Sequence, residues 1–345
     1  MDHASSFISH LQHLLRPLGA LYGFAVRLRN RRYDRNPRLI RRADLPVISV
    51  GNVTVGGTGK TPVVMEIVRQ LSAWGHRPAI LTRGYGAAAG ETADEVREYA
   101  EQLPGVPVIV NPDRAAGAEI AQTSFAADCL VLDDGFQHRR LARDLDVVVI
   151  DALDPWGGDR MLPAGRLRES LRSLSRADMF IVTRANQVEH SIAAEIERRL
   201  ADLNRKAPCV QADVEPQEVH IHPEGRVAIE ELAYHDVLPV CGIGNPRTFL
   251  NTVAPLAGRV CGRLLFSDHC RYKPRHVERI LSVARRLGAD WVVTTRKDWV
   301  KLAPLWPSAS SEEDVRLVRL DARSVLRDDD GVFEQVLHRV LERYA

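Results

Sequence analysis

The chain of 345 residues is poor in the features that would place it in several protein classes. No stretch reaches the roughly 18 uninterrupted apolar residues that a membrane-spanning helix requires. No basic start followed by an apolar core and an A-x-A site is visible, so no secretory leader is expected. There are only five cysteines, at 129, 209, 241, 261 and 270, and none lie in a C-x-x-C pair. An odd, scattered set argues against a disulfide framework and predicts reduced, packed thiols in a cytoplasmic protein. Charge of either sign is not in excess: 47 Lys and Arg oppose 45 Asp and Glu, for a net +2. Bulk electrostatics therefore give no reason to expect a nucleic-acid partner.

What is present is concentrated in Val47-Ile-Ser-Val-Gly-Asn-Val-Thr-Val-Gly-Gly-Thr-Gly-Lys-Thr-Pro62. An apolar β-branched run (Val47, Ile48, Val50) leads into Gly56, Gly57 and Gly59 and then Lys60-Thr61. After it Val63, Val64, Ile67, Val68 and Leu71 recur at helical spacing. Strand, glycine loop and helix is the setting of a phosphate-binding loop. The glycines let backbone N–H groups close around an anion, and the helix N-terminus adds unpaired donors. On this reading residues Thr54, Val55, Gly56, Gly57, Thr58, Gly59, Lys60 and Thr61 hold the nucleotide. Lys60 reaches the terminal phosphates and the Thr61 hydroxyl faces Mg²⁺. Thr54 stands where the usual spacing has the first glycine.

Downstream, apolar strand-like runs at 46–51, 79–83, 107–110, 128–132, 145–150 and 179–183 alternate with helical patterns near 61–74, 113–125, 164–176 and 187–203. Such alternation predicts an α/β fold of the P-loop NTPase type, a doubly wound, mostly parallel sheet covered on both faces. Ligands of these sheets gather at the carboxyl ends of the strands. There the sequence places Thr82-Arg83-Gly84-Tyr85-Gly86, leading to Asp94-Glu95, and Asp133-Asp134-Gly135. An apolar strand ending in Asp below a phosphate loop is the expected Mg²⁺-side acid, and two adjacent carboxylates invite a cation between them. Pro163 and Gly165 punctuate a loop, after which Arg166, Arg168 and Glu169 are expected to open the 164–176 helix.

Residues 219–229 read as a hairpin turning at Pro223-Glu-Gly225. A second alternating unit follows, with strands expected at 237–240, 259–266, 291–294 and 315–320 and helices near 246–256, 274–287 and 332–343. The expected organisation is thus 1–42 as an amphipathic helix and basic linker, 43–215 as the P-loop kinase domain, 216–233 as a connector, and 234–345 as a smaller α/β domain. His269, beside Asp268 at a strand end, is a candidate catalytic group.

Before the sheet, Phe7, Leu11, Leu14, Leu15, Leu18, Leu21, Tyr22 and Ala25 form an apolar helical stripe, with Pro17 as a kink or helix start. Arginines 27, 29, 31, 32, 35, 38, 41 and 42 follow. The pattern suits an anionic bilayer surface. It equally suits a helix packed on the domain with a solvated basic linker, and the pattern alone leaves both open. Aromatic residues are not interleaved with these arginines, which disfavours nucleic acid.

Taken together these segments resemble the tetraacyldisaccharide 4′-kinases. The likeness rests on Leu21–Gly23, on Val50 to Pro62 with its threonine at the first glycine position, on Arg83-Gly-Tyr-Gly86, on Asp133-Asp-Gly-Phe-Gln-His138 and on Leu162-Pro-Ala-Gly165. In the second half it rests on Gly242-Ile-Gly244, Phe266-Ser-Asp-His269 and Val293-Thr-Thr-Arg-Lys-Asp298. The resemblance implies transfer of the ATP γ-phosphate, with Mg²⁺, to the 4′-hydroxyl of an acylated glucosamine disaccharide 1-phosphate. It implies a monomer peripherally bound at the cytoplasmic face of the bacterial inner membrane, with the N-terminal helix as a monotopic anchor. By position, Lys60 and Thr61 match the family's phosphate-loop lysine and Mg²⁺-side hydroxyl, Asp133 and Asp134 its paired acids, and Glu169 a further acid near the metal. Asp94 matches the general base and His269 the histidine paired with it across two domains. Three positions depart from the family pattern: Ala93 replaces a glycine, Arg296 a glutamate and Cys270 a second histidine.

Two other functions compete. A membrane-cycling ATPase of the positioning type shares the Gly56-Gly-Thr-Gly-Lys-Thr61 loop, but its signature lysine is Val55 here. A soluble small-metabolite kinase is disfavoured by the amphipathic N-terminus.

Overall fold

The computed structural model describes residues 15–84, 94–268, 270–307 and 315–344, and for Asp94 the backbone alone. The chain divides into two compact units, one of Met1–Ala212 with Leu326–Ala345 and one of Asp213–Val325.

The first unit is built on seven parallel strands: β1 (Val47–Gly51), β2 (Pro78–Thr82), β3 (Val108–Val110), β4 (Cys129–Asp133), β5 (Leu145–Asp151), β6 (Met179–Thr183) and the start of β7 (Cys209–Ile221). They pair in the order β7-β6-β5-β1-β4-β2-β3. Every residue of β1, β2, β4, β5 and β6 is buried. A parallel sheet covered on both faces requires this, and it explains the unbroken β-branched runs in the sequence. The chain winds to one side through β2 and β3, returns at β4 and departs to the other side through β5. The carboxyl end of β1 therefore lies at the switch point, where such sheets hold ligands.

Helices α1 (Arg16–Arg35), α2 (Lys60–Ala73), α3 (Asp94–Gln102), α4 (Arg114–Phe125) and α5 (His190–Leu203) belong to this unit. α2 buries Val63, Val64, Ile67, Val68 and Leu71, the positions its periodicity marked. At roughly 2–5 kcal/mol per large core side chain truncated to alanine, this face alone fixes the helix behind the loop. The helix pattern read at 164–176 is not a helix. Residues 160–168 form irregular backbone with isolated bridges, and a 3₁₀ segment follows at Leu171–Arg176. The cause is competition for backbone groups: Arg168 N–H donates to Val53, Val55 N–H to Arg166 and Leu167 N–H to Arg160. These bonds hold the segment against the chain leaving β1, and a Cβ on Gly165 would lie 2.4 Å from the Arg160 carbonyl oxygen.

The second unit contains the rest of β7, with β8 (Gly225–Val227), β9 (Asp236–Cys241), β10 (Arg259–Val260), β11 (Leu264–Leu265), β12 (Trp291–Thr294) and most of β13 (Arg316–Arg327). β9 pairs in parallel with β10, β11 and β12, and β12 in parallel with β13. β7 and β8 form the expected hairpin, closing Ile221 on Gly225, whose φ of +106° suits glycine. The single strand expected over 259–266 is two short ones. α6 (Pro246–Val253), α7 (Pro274–Leu287) and α8 (Arg296–Leu302) complete the unit.

The division differs from the sequence expectation at three points. Residues 1–42 fall within the first unit and are not set apart. The hairpin belongs to the second unit. The last helix, α9 (Val332–Leu341), belongs to the first. Its Phe333, Leu337, Val340 and Leu341 join the core that contains Val64, Ile67 and Leu71 of α2. His338 stacks on Trp74 at 3.8 Å, and Gln70 donates to Glu334 at 2.9 Å. The apolar face of α9 was legible in sequence, but not which core it would fill.

Candidate active site

Between β1 and α2 the chain turns through Gly56 (φ +113°) and Gly59 (φ +84°), the latter being the N-cap of α2. The carbonyls of this loop are held from outside. Val55 O accepts from Arg166 at 2.8 Å, Gly57 O from Arg184 at 2.7 Å and Thr58 O from the Thr183 hydroxyl at 2.8 Å. In a trans peptide the following N–H points opposite to the carbonyl. Tying back these three carbonyls turns the amides of Gly56, Thr58 and Gly59 toward the concave side, as an anion cradle needs. Arg184 is itself buried, in left-handed backbone (φ +62°), and is neutralised by Asp151 at 2.6 Å. Thr54 and Val55 are tied into the surrounding backbone. The Val55 N–H is spent on Arg166 O, and the Thr54 carbonyl accepts from Asn52 and Arg168. Both residues buttress the loop.

Below the loop lies a charged cluster. The Lys60 ammonium is 3.2 Å from Asn52 Oδ1 and 3.4 Å from Asp134 Oδ1. Arg168 donates to Asp134 Oδ2 at 2.6 Å and to Asn52 Oδ1 at 3.1 Å. Asn52 is fully buried and donates to the Thr58 hydroxyl at 2.9 Å. One amide thus joins the lysine, the arginine and the loop. Asp134 sits in left-handed backbone (φ +54°), and Gly135 follows where a Cβ would lie 2.5 Å from Ser49 Oγ. This turn carries the second carboxylate back over β1.

The two acids are electrostatically unlike. Burial pushes the Asp133 carboxyl up to about 6, the negative charges of Asp134 and Glu95 add to the rise, and Lys60 opposes it. Asp134 is also penalised by burial, but Lys60 and Arg168 outweigh this and hold its carboxyl below the ordinary value. Tyr99 on α3 is fully buried. Burial, with the charges of Asp133 and Glu98, pushes its phenol well above the ordinary range. Burial and then Arg114, Arg143 and Arg140 push His138 down to about 4. That imidazole is neutral at pH 7, and the His138 backbone N–H donates to the Gly135 carbonyl at 2.8 Å, closing the turn.

Lys60, Asp134, Asp133 and the glycine loop are therefore brought together. Glu169 is not part of this cluster, because its carboxylate is fully buried against Arg29, Asn30 and Arg176. His269 and the side chain of Asp94 lie outside the described residues, and only the backbone start of α3 at Asp94 is placed.

A protein-family model described as tetraacyldisaccharide-1-P 4′-kinase matches residues 11–342. The chain belongs to the tetraacyldisaccharide 4′-kinase family. It is 40% identical over 337 residues to the tetraacyldisaccharide 4′-kinase of Anaeromyxobacter sp. (strain Fw109-5), covering 92% of this chain and 89% of that one. To the enzyme of the same name from Halothermothrix orenii it is 35% identical, with 84% and 83% covered. Among solved structures it is similar to LpxK from Aquifex aeolicus, crystallised in complex with ATP. The TM-score is 0.70 at 28% identity, over 96% of this chain and 99% of that one.

Several parts of this kinase's site were missed in the sequence. Arg168, Thr183, Arg184 and Tyr99 carry no motif signal of their own, and Asn52 lies inside the Val50–Pro62 stretch without a role that spacing assigns. Arg166 and Arg168, expected only to open a helix, instead hold the site, Arg166 on Val55 O and Asp154, Arg168 on Asp134. Thr183-Arg184 closes β6 at the same sheet edge as the loop, so its place at a strand end was the one available signal.

Proposed function

We propose that the Lys60–Asp134 centre transfers the γ-phosphate of ATP to the 4′-hydroxyl of a tetraacyldisaccharide 1-phosphate. The chain is a phosphotransferase of lipid A biosynthesis that uses ATP. The observation that carries the site assignment is the convergence of Lys60, Asn52, Arg168 and Asp134 under a loop whose carbonyls are held by Arg166, Arg184 and Thr183. Phosphoryl transfer needs in-line placement and neutralised charge more than covalent chemistry. Lys60 and the loop amides meet the phosphate oxygens, and Arg168 and Asn52 hold Asp134 and Lys60 in register.

The acids fit a magnesium ion. Oxygen donors suit it, Asp134 Oδ1 meets only the Lys60 ammonium at 3.4 Å, and Asp133 is a buried carboxyl that a cation would ionise. Thr61, Asp133 and Asp134 would hold it. When bound, it neutralises charge on the transferring phosphate. We assign Asp94 as the base toward the sugar hydroxyl and His269 as its partner, on family position alone. Lys60→Ala should lower kcat at least about 100-fold. Asp94→Ala should lower kcat more than it changes ATP affinity, and a normal kcat would remove the base assignment.

The enzyme meets its lipid at the inner-membrane surface through α1, peripherally and as a monomer. Leu18, Leu21, Phe24 and Leu28 are all exposed along that helix, while Gly19 and Val26 are buried. Gly19 and Gly23 lie so close to Met161 that a Cβ would come within 3.1–3.2 Å of it. The apolar stripe thus faces outward, beside a basic second half, as a bilayer-surface helix requires. No helix among the described residues is long and apolar enough to cross a membrane. The deciding experiment supplies ATP labelled at the γ-position and the disaccharide 1-phosphate, and looks for label at the sugar 4′-position. Label released only as inorganic phosphate would overturn the reading.

A further inference from the structure

Glu169 is the most completely buried acid near the site, with no exposed surface, and its carboxylate is already occupied by side chains. Its Oε1 accepts from Arg29 at 2.8 Å, and its Oε2 from Asn30 at 3.1 Å and Arg176 at 2.8 Å. Two guanidiniums already exceed its single charge, and a divalent cation would face both of them. Breaking so buried an ion pair is costly because the remaining charge has no water to turn to.

Arg29 and Asn30 are on α1, while Glu169 directly follows Arg168, the residue that clamps Asp134 and Asn52. Consecutive side chains of one short segment thus reach two places: the outward-facing helix and the phosphoryl-transfer acid. The backbone between them has little slack, because Arg168 N–H is bonded to Val53 O at 2.7 Å. A second strap runs alongside. Arg139, five residues beyond Asp134, donates to Asn30 O at 3.0 Å and pairs with Asp34 at 2.8 Å. Arg176 also lies 4.4 Å over the ring of Phe136, in the Asp133–His138 turn. The second half of α1 is therefore fastened to both segments that place Asp134.

We propose that Glu169 is a positioning residue that couples helix α1 to the transfer centre: held by Arg29 and Asn30, it seats Arg168 against Asp134, so that α1 is part of the catalytic scaffold as well as a surface helix. The inference rests on the role proposed above for Asp134 and Lys60.

The test uses the full-length enzyme in mixed micelles with Glu169→Gln, Arg29→Met and the double variant. Arg29 is partly exposed, so its variant keeps the test open should Glu169→Gln fold poorly. Each single variant should lower kcat, by up to about 100-fold for an ångström-scale displacement, with KM for the lipid little changed. The double variant should be no worse than the poorer single, because both remove one link. Arg29→Lys should restore part of the loss. The Mg²⁺ concentration giving half-maximal binding of a fluorescent ATP analogue should stay within about twofold of wild type. A roughly tenfold rise of that concentration in Glu169→Gln, absent in Arg29→Met, would make Glu169 a metal ligand and overturn the proposal. So would a raised KM at unchanged kcat, which would leave α1 as a surface helix only. Wild-type protein that binds the analogue but labels no lipid would refute the proposed reaction instead, and that failure is seen before any variant is made.

Discussion

Asp133 gives the sharpest quantitative test. Its carboxyl is raised from an ordinary 3.8 to about 6, chiefly by burial. A rise of that size corresponds to about 3 kcal/mol. The folded state holds this proton more tightly than the unfolded chain does. Between about pH 4 and 6 the native protein therefore binds more protons, and stability falls as pH rises. Above about pH 6 the full cost of an ionised buried carboxylate is present. Below about pH 4 both states are protonated and the cost is absent. Asp133→Asn removes the titrating group while keeping nearly the same shape. In the absence of metal and nucleotide it should be more stable than wild type by about 3 kcal/mol at pH 7.5, the advantage disappearing near pH 4. Turnover should fall, because a group kept at a cost to stability serves the site. Urea unfolding of both proteins from pH 4 to 8, without Mg²⁺ and ATP, measures the difference, which is plotted against pH. Parallel curves would show that Asp133 is solvated or paired as its ordinary value implies, and the electrostatic account of the site would fail. Adding Mg²⁺ and ATP should narrow the gap at pH 7.5 by stabilising only the wild type.

Two further outcomes follow from the same contacts. Arg184→Ala removes the guanidinium that pairs with the buried Asp151 carboxylate and frees the Gly57 carbonyl. It should cost about 3–5 kcal/mol in unfolding free energy and weaken nucleotide binding, both measurable by denaturation and analogue titration. Leu21→Glu and Phe24→Glu change side chains that are 65% and 58% exposed. Their effect on stability should stay within about 0.5 kcal/mol, while partitioning to anionic vesicles, read by sedimentation, should drop. Unchanged partitioning would return α1 to a purely packed role.

The parts of this protein that the sequence determined alone are those in which neighbours along the chain do the work. Val47–Gly51, the turning glycines and the periodic face of α2 are local, and they specified strand, loop and helix without any distant partner. The runs of β-branched residues specified a parallel sheet because both its faces must be apolar, and the apolar stripe from Leu18 specified a helix, leaving open whether it packs on the domain or meets a bilayer. Only the tertiary structure decided what the charged side chains do. Arg168 and Glu169 share one short segment, yet one meets Asp134 and the other Arg29, 140 positions away. The helical pattern read at 164–176 lost to backbone pairing with Val53 and Val55, partners that spacing cannot reveal. The apolar face of α9 announced a helix but not its destination, because one greasy surface fits any core and only the space beside Leu71 and Trp74 selects it. Pattern follows from the chain's own periodicity, whereas pairing depends on which groups the fold leaves without water.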